Sequence, residues 1–111
     1  MTTCEFVQIQ TTFPDEESAR ALAARLLELK LVACAQILPG LESRYEWLGE
    51  LCVDRETLLL CKTRASLFER LSAEIASRHP YECPQIVGVP LLCVAPSYAA
   101  WLDEQLQLSD S

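Results

Sequence analysis

The first part of the chain changes its hydrophobic period from two residues to 3.6. Apolar and polar residues alternate over residues 6–11, which predicts a half-buried strand. The acidic run that follows Phe13 and Pro14 predicts the start of a helix, because carboxylates stabilise the positive end of the helix dipole. We expect this helix to bury one apolar stripe, made of Ala19, Leu22, Ala23, Leu26 and Leu27.

The middle of the chain predicts two long strands joined as a hairpin. Residues 32–38 are almost entirely apolar, Pro39 and Gly40 interrupt them, and residues 41–47 resume as an extended segment. A turn at residues 48–50 leads into a returning strand over residues 51–63. At about 3.3 Å per residue, residues 32–47 would extend about 50 Å, whereas a domain of this size is roughly 35 Å across. The hairpin is therefore expected to project or bend away from its domain.

The last part of the chain predicts a second helix, a fourth strand and a short terminal helix. Ser66 and Glu69 have the spacing of a capping box, and the helix is expected to reach about Arg78 because Pro80 disfavours helical geometry at His79. A polar loop follows over residues 79–84. Residues 85–94 predict a strand, in which Pro90 indicates an edge or a bulge, and a helix is expected from Pro96.

The order of these elements predicts an α+β fold of ferredoxin-like type. A β-α-β-β-α-β order with right-handed crossovers places both main helices on one face of the sheet, and a C-terminal helix follows. The whole chain, residues 1–111, is expected to form one domain. The other face of the sheet would then expose an apolar surface that soluble monomers avoid, so we expect an oligomer.

Charge and composition restrict the classes of partner. Nine Lys and Arg against sixteen Asp and Glu give a net charge of −7, which argues against binding to nucleic acid or to anionic lipid. No apolar run is long enough to span a membrane. Residues 1–5 lack the basic and apolar regions of a signal peptide, so a cytoplasmic location is expected.

The six cysteines, at positions 4, 34, 52, 61, 83 and 93, are widely spaced and form no CxxC pair. Zinc sites usually have closely spaced ligand pairs, so a zinc site of that type is not indicated. Cys34, Cys61 and Cys93 have apolar neighbours and are predicted to be buried, reduced thiols. Cys83 lies in the polar loop and is the main exception.

Several motifs together resemble the CutA divalent-cation tolerance proteins. They cover nearly the whole chain in order: Ala33-Cys34-Ala35-Gln36-Ile37-Leu38-Pro39-Gly40, Ser43-x-Tyr45-x-Trp47-x-Gly49, Lys62-Thr63, His79-Pro80-Tyr81-Glu82-x-Pro84 and Tyr98-x-x-Trp101-Leu102. The resemblance implies a ferredoxin-like subunit in a homotrimer, with hairpins that extend onto neighbouring subunits. It also implies a role in tolerance to divalent metals with no enzymatic reaction, and copper binding is reported for members.

One candidate metal site lies in the polar loop. His79, Glu82 and Cys83 would offer a nitrogen, an oxygen and a sulfur to copper or another divalent cation. The alternative is that His79 caps helix carbonyls and that the prolines stiffen the loop. Some copper-binding members carry a cysteine where this chain has Gln10 and a second histidine where it has Arg78, so His79 alone remains of that ligand set.

A second candidate site is a cleft at a subunit boundary. Tyr45, Trp47, Lys62 and Tyr81, with Glu82, could form a pocket for a small molecule or an anion. The alternative, which we favour for Tyr45 and Trp47, is packing at an interface. A cleft would fit a small-ligand sensor or trimeric scaffold similar to the PII signal proteins. The absence of a Gly-rich phosphate loop from the sequence counts against that alternative.

Overall fold

Residues 5–106, the part of the chain that the computed structural model describes, form four strands and three α-helices. The elements are β1 (Phe6–Phe13), α1 (Glu16–Glu28), β2 (Cys34–Trp47), β3 (Glu50–Arg64), a 3-10 turn (Ala65–Leu67), α2 (Phe68–Arg78), β4 (Val87–Pro90) and α3 (Pro96–Gln105). The strands form one antiparallel sheet in the order β2-β3-β1-β4. The expected α+β ferredoxin-like fold is confirmed.

The core lies between one face of this sheet and the two main helices. Side chains of β1 and β3 that face the helices, such as Ile9, Phe13 and Leu59, are fully buried. α1 adds Ala19, Leu22, Ala23 and Leu26, as its apolar stripe predicts, and α2 adds Leu71 and Ile75. The expectation for Leu27 is wrong, because this side chain is 43% exposed at the edge of the stripe.

α1 begins within the acidic run, as expected, whereas α2 begins later than expected. The carboxylate of Asp15 accepts a hydrogen bond from the backbone N–H of Ser18 at 2.7 Å, so α1 begins at Glu16 and β1 extends to Phe13. The capping box predicted at Ser66 is not formed. A 3-10 turn precedes α2, and its carbonyl at Ala65 accepts from the backbone N–H of Phe68 instead.

The hairpin of β2 and β3 is continuous over most of its length. Leu48 and Gly49 have φ values of 53° and 80°, as the two central residues of a type I′ turn require. Pro39 and Gly40 do not end the strand but form a bulge, where the pairing register shifts. The longest dimension is 44 Å, against 31 Å and 23 Å for the other two. The expected projecting hairpin therefore elongates the molecule.

β4 is shorter than predicted and lies at the edge of the sheet. It pairs with β1 only from Val7–Pro90 to Gln10–Val87. The edge position tolerates Pro90, because no further strand pairs with the outer side of β4 and the missing N–H therefore breaks no hydrogen bond of the sheet. Cys93 lies beyond the end of β4 and is exposed, so the prediction that it is buried is wrong. Cys61 is buried and Cys34 half-buried, whereas Cys4 lies outside the described residues.

The sheet face opposite α1 and α2 is only partly covered. α3 is tied to one end of β3, where Arg64 Nε and Nη2 donate to the carboxylate of Asp103 at 2.7 and 2.9 Å. Leu38, Val87 and Val89 remain exposed on the rest of this face. Within residues 5–106, no helix combines the length and the apolar character needed to cross a membrane.

Candidate functional site

A cleft of about 790 Å³ opens at the end of β1, between the hairpin and the loop that follows α2. β2 and β3 supply one wall, and the loop supplies the other. The lining residues are Thr12, Ser43, Arg44, Tyr45, Trp47, Asp54, Glu56, Pro80, Tyr81, Glu82, Cys83 and Gln85. This volume lies within the range of about 300–1,000 Å³ that small-molecule sites occupy.

The hairpin register brings a tyrosine and an aspartate together on one wall. Ser43 lies opposite Asp54 and Tyr45 opposite Cys52, so their side chains share one face of the hairpin. The Tyr45 hydroxyl donates a short hydrogen bond to the Asp54 carboxylate. That bond to a negative group raises the pKa of Tyr45 to about 12, so the hydroxyl keeps its proton at neutral pH.

Glu56 joins the hairpin wall to the loop wall. Its carboxylate accepts hydrogen bonds of 2.6 Å from the hydroxyls of Ser43 and Tyr81. The residue is only 9% exposed. Burial, with the hydrogen bond to Glu56 as the second cause, raises the pKa of Tyr81. The loop is thus held against the hairpin through a buried carboxylate.

His79 ends α2 and fixes the start of the loop. Its Nδ1 accepts from the backbone N–H of Tyr81 at 3.1 Å, which assigns the ring proton to Nε2, where it donates to the Thr12 carbonyl at 2.8 Å. The ring also stacks on Phe13, with 4.3 Å between centroids. Burial lowers the pKa of His79, so the neutral ring is favoured. The imidazole bonds β1 rather than the helix carbonyls.

His79 is held differently from the other two candidate metal ligands. Glu82 and Cys83 are exposed and line the cleft, whereas both ring nitrogens of His79 are engaged by backbone groups. Over residues 5–106, no three His, Cys, Asp or Glu side chains are grouped to hold a metal ion. A site that combines His79, Glu82 and Cys83 stays a prediction. It would require the imidazole to release a hydrogen bond.

The second candidate set is only partly brought together. Tyr45, Trp47 and Tyr81 all line the cleft. Lys62 does not, because it lies further along β3, where its Nζ donates to the Gln36 side chain at 2.9 Å. The lining of the cleft includes three carboxylates and, within the described chain, one basic side chain, that of Arg44. An anion pocket is therefore disfavoured by charge.

Two acidic residues of the cleft were missed by sequence reasoning, although the sequence contains a signal for them. Once the two-residue turn is recognised, Trp47 must lie opposite Glu50, and counting back along both strands places Ser43 opposite Asp54. Glu56, two residues after Asp54, then falls on the same face. The loop contact from Tyr81 to Glu56 has no comparable signal, because it joins residues 25 positions apart.

Comparisons with known proteins agree over almost the whole chain. The sequence model of the family described as CutA1 divalent ion tolerance protein matches residues 7–105. The divalent-cation tolerance protein CutA of Thermus thermophilus is 44% identical over 93 residues, which are 84% of this chain and 90% of the relative. The chloroplastic protein CutA of Arabidopsis thaliana is 38% identical over 96 residues, 86% of this chain, which spans about half of that longer relative (53%).

A solved structure shows the same fold. The crystal structure of CutA1 from Oryza sativa superposes with a TM-score of 0.91 at 34% identity, and the match covers 98% of this chain and 100% of that one. The likeness therefore extends from the motifs to the arrangement of strands and helices. This chain belongs to the CutA1 divalent ion tolerance family.

Proposed function

We propose that this chain acts in tolerance to divalent metal ions, as a homotrimer without enzymatic activity. The observation that carries this proposal is the family match over residues 7–105, together with a relative at 44% identity that is named a divalent-cation tolerance protein. The net charge of −7 supports it, since an acidic protein attracts cations to its surface.

Copper is the cation proposed for the polar loop. Glu82 and Cys83 offer an oxygen and a sulfur ligand, and within the described chain neither makes a hydrogen bond or an ion pair. His79 would add a nitrogen after Nε2 releases the Thr12 carbonyl. Few ligands on one loop give an open, exchangeable site, and copper should bind there more tightly than zinc because it stands higher in the Irving–Williams order.

A copper titration of the purified protein, followed by calorimetry, tests this ligand set. We expect weaker binding in Cys83→Ser and in His79→Ala than in the wild type. Cys93→Ser is the matched control, because Cys93 is another exposed thiol but does not line the cleft. Equal affinities in the wild type, Cys83→Ser and His79→Ala would place the metal elsewhere and contradict the ligand set.

The homotrimer accounts for apolar side chains that a single chain leaves in water. Leu48 and Leu51 at the hairpin tip are 87% and 82% exposed, and Trp47 is 58% exposed. Exposed apolar residues concentrated on a projecting hairpin are typical of an interface rather than of a free surface. The family resemblance supplies the number three and the role of the hairpins in reaching neighbouring subunits.

A small-ligand sensor or scaffold similar to the PII proteins is the second candidate. The cleft, with its three aromatic side chains, is the observation that favours it. A thermal-shift screen distinguishes the two functions, because a ligand that binds only the folded protein raises the unfolding midpoint. We expect copper or zinc to raise the midpoint and nucleotides to leave it unchanged. The opposite result would favour the sensor.

A further inference from the structure

The imidazole of His79 contacts two aromatic rings, one in the core and one in the loop. Phe13 of β1 stacks on it with 4.3 Å between ring centroids, and Phe13 is fully buried. Tyr81 of the loop contacts it with 5.1 Å between centroids and an angle of 40° between the ring planes. Because Phe13 is fixed in the core, Tyr81 is the neighbour that can move away.

The hydrogen bonds of the imidazole make Tyr81 the decisive neighbour. A neutral imidazole carries one N–H, and here Nε2 donates to the Thr12 carbonyl while Nδ1 accepts from the Tyr81 backbone N–H at 3.1 Å. A metal bound at Nε2 would leave the ring proton on Nδ1, where it would face the Tyr81 N–H. A metal bound at Nδ1 would take the lone pair that this N–H uses. Ligation through either nitrogen therefore requires the Tyr81 backbone to withdraw.

The Tyr81 side chain opposes that withdrawal. Its hydroxyl donates to Glu56 Oε2 at 2.6 Å, and Glu56 Oε1 accepts from the Ser43 hydroxyl at the same distance. Glu56 is only 9% exposed, so water offers this carboxylate little replacement for a lost hydrogen bond. Hydrogen bonds to a charged group are also stronger than those between neutral groups. Through its hydroxyl, Tyr81 is therefore anchored to the hairpin.

We propose that Tyr81 is a positioning residue that withholds His79 from copper, with Glu56 as its anchor on the hairpin. This regulation depends on the copper site proposed above. It lowers the apparent copper affinity, because only the fraction of molecules in which Tyr81 has withdrawn can use the imidazole as a ligand. Its contacts join residues of one chain, so they require no uncovered cleft in the assembled protein.

Calorimetric titration of the full chain with copper measures the predicted effect on affinity. Tyr81→Phe keeps the ring and removes the hydroxyl, so we expect it to tighten copper binding about tenfold. A purely structural role of Tyr81 predicts weaker binding instead. Tyr98→Phe, the same loss of one hydroxyl but on α3, should leave the affinity unchanged. Adding His79→Ala to Tyr81→Phe should abolish the gain, because the gain acts through the imidazole.

Nitrogen NMR of the imidazole gives a second readout that requires no metal. His79 is the only histidine of the sequence, so its ring signals are unambiguous. We expect the wild-type ring to be protonated at Nε2, and Tyr81→Phe to increase the share of the ring protonated at Nδ1. An unchanged ring spectrum in Tyr81→Phe would overturn the proposal.

The copper titrations distinguish the role of Tyr81 from the copper site itself. Copper binding that is lost in His79→Ala but is no tighter in Tyr81→Phe than in the wild type would support the site and overturn the role of Tyr81. Absence of copper binding in the wild type and in Tyr81→Phe would contradict both.

Discussion

Two residues, Glu56 and His79, hold the cleft together from opposite sides. The Glu56 carboxylate of the hairpin accepts a hydrogen bond of 2.6 Å from the Tyr81 hydroxyl. The Nε2 atom of His79, at the end of α2, lies 2.8 Å from the carbonyl oxygen of Thr12 in β1. Each contact links segments far apart in the sequence, so neither could be predicted from local pattern. The residue types of the loop suggested metal chemistry for His79, whereas its hydrogen bonds give this side chain a structural role.

The lowered pKa of His79 gives the stability of the protein a specific pH dependence. The unfolded state takes up a proton near the ordinary pKa of 6.5, whereas the native ring resists protonation until a lower pH. The contribution of His79 is therefore complete above about pH 6.5 and is lost as the pH falls through the native pKa. Urea unfolding above and below pH 6.5 should show that acid lowers the free energy of unfolding less in His79→Gln than in the wild type. Identical losses would contradict this interpretation.

The cysteines should differ widely in reactivity. Burial raises the pKa of Cys61 to about 12, which removes the reactive thiolate, whereas Cys83 is exposed in the loop. We expect a thiol reagent to label Cys83 early and Cys61 only on unfolding. Mass spectrometry of the peptides from a native labelling time course measures this order. Labelling of Cys61 at the rate of Cys83 would refute it.

The elements were predicted where periodicity was strong and were misjudged at their ends. The stripe of α1 and the stop of α2 before Pro80 follow from side-chain spacing and backbone sterics. α2 begins later than the capping box at Ser66 predicted, because a 3-10 turn forms over Ala65–Leu67 instead. The end of β4 differed because pairing with β1 limits the strand to four residues, a tertiary constraint.

The tip of the hairpin gives a prediction at the level of elements. Gly49 has φ +80°, a conformation that side chains disfavour, so Gly49→Ala should lower the free energy of unfolding by about 1–2 kcal/mol. Gly88→Ala is the matched control: a Cβ there would meet Ile9 Cδ1 at 3.4 Å, an ordinary contact, and the change should stay within about 0.5 kcal/mol. Urea denaturation measures the free energy of unfolding of both variants. A decrease in Gly88→Ala but not in Gly49→Ala would contradict the positive φ assigned to Gly49.

For the whole molecule, the projecting hairpin was predicted from the sequence, whereas the contact between the hairpin and the loop after α2 was not. Chain length alone required the hairpin to project, and the structure confirms an elongated shape. Lys62 was assigned to the cleft by its position near the end of β3, but its side chain bonds Gln36 on the open sheet face. Asp54 and Glu56, which the sequence reasoning missed, make the lining of a pocket expected for a small molecule or an anion predominantly acidic.

The proposed trimer is tested by light scattering. We expect the mass of three chains at micromolar concentration. Trp47→Ala should weaken association by about 3 kcal/mol or more, the cost of truncating a buried aromatic side chain, and should alter the fold less. Leu27→Ala, which truncates an exposed apolar side chain on α1, should leave the mass unchanged. A monomeric wild type would exclude the trimer.

Growth in the presence of metal tests the central claim most directly. The chain is expressed in a bacterial strain that lacks its own CutA protein, and growth is followed over a graded series of copper concentrations, with potassium as a monovalent control. The account predicts that the chain raises the copper concentration at which growth stops and leaves the response to potassium unchanged. Growth that stops at the same copper concentration with the chain as with an empty vector, at a verified level of folded protein, would contradict a role in divalent-metal tolerance.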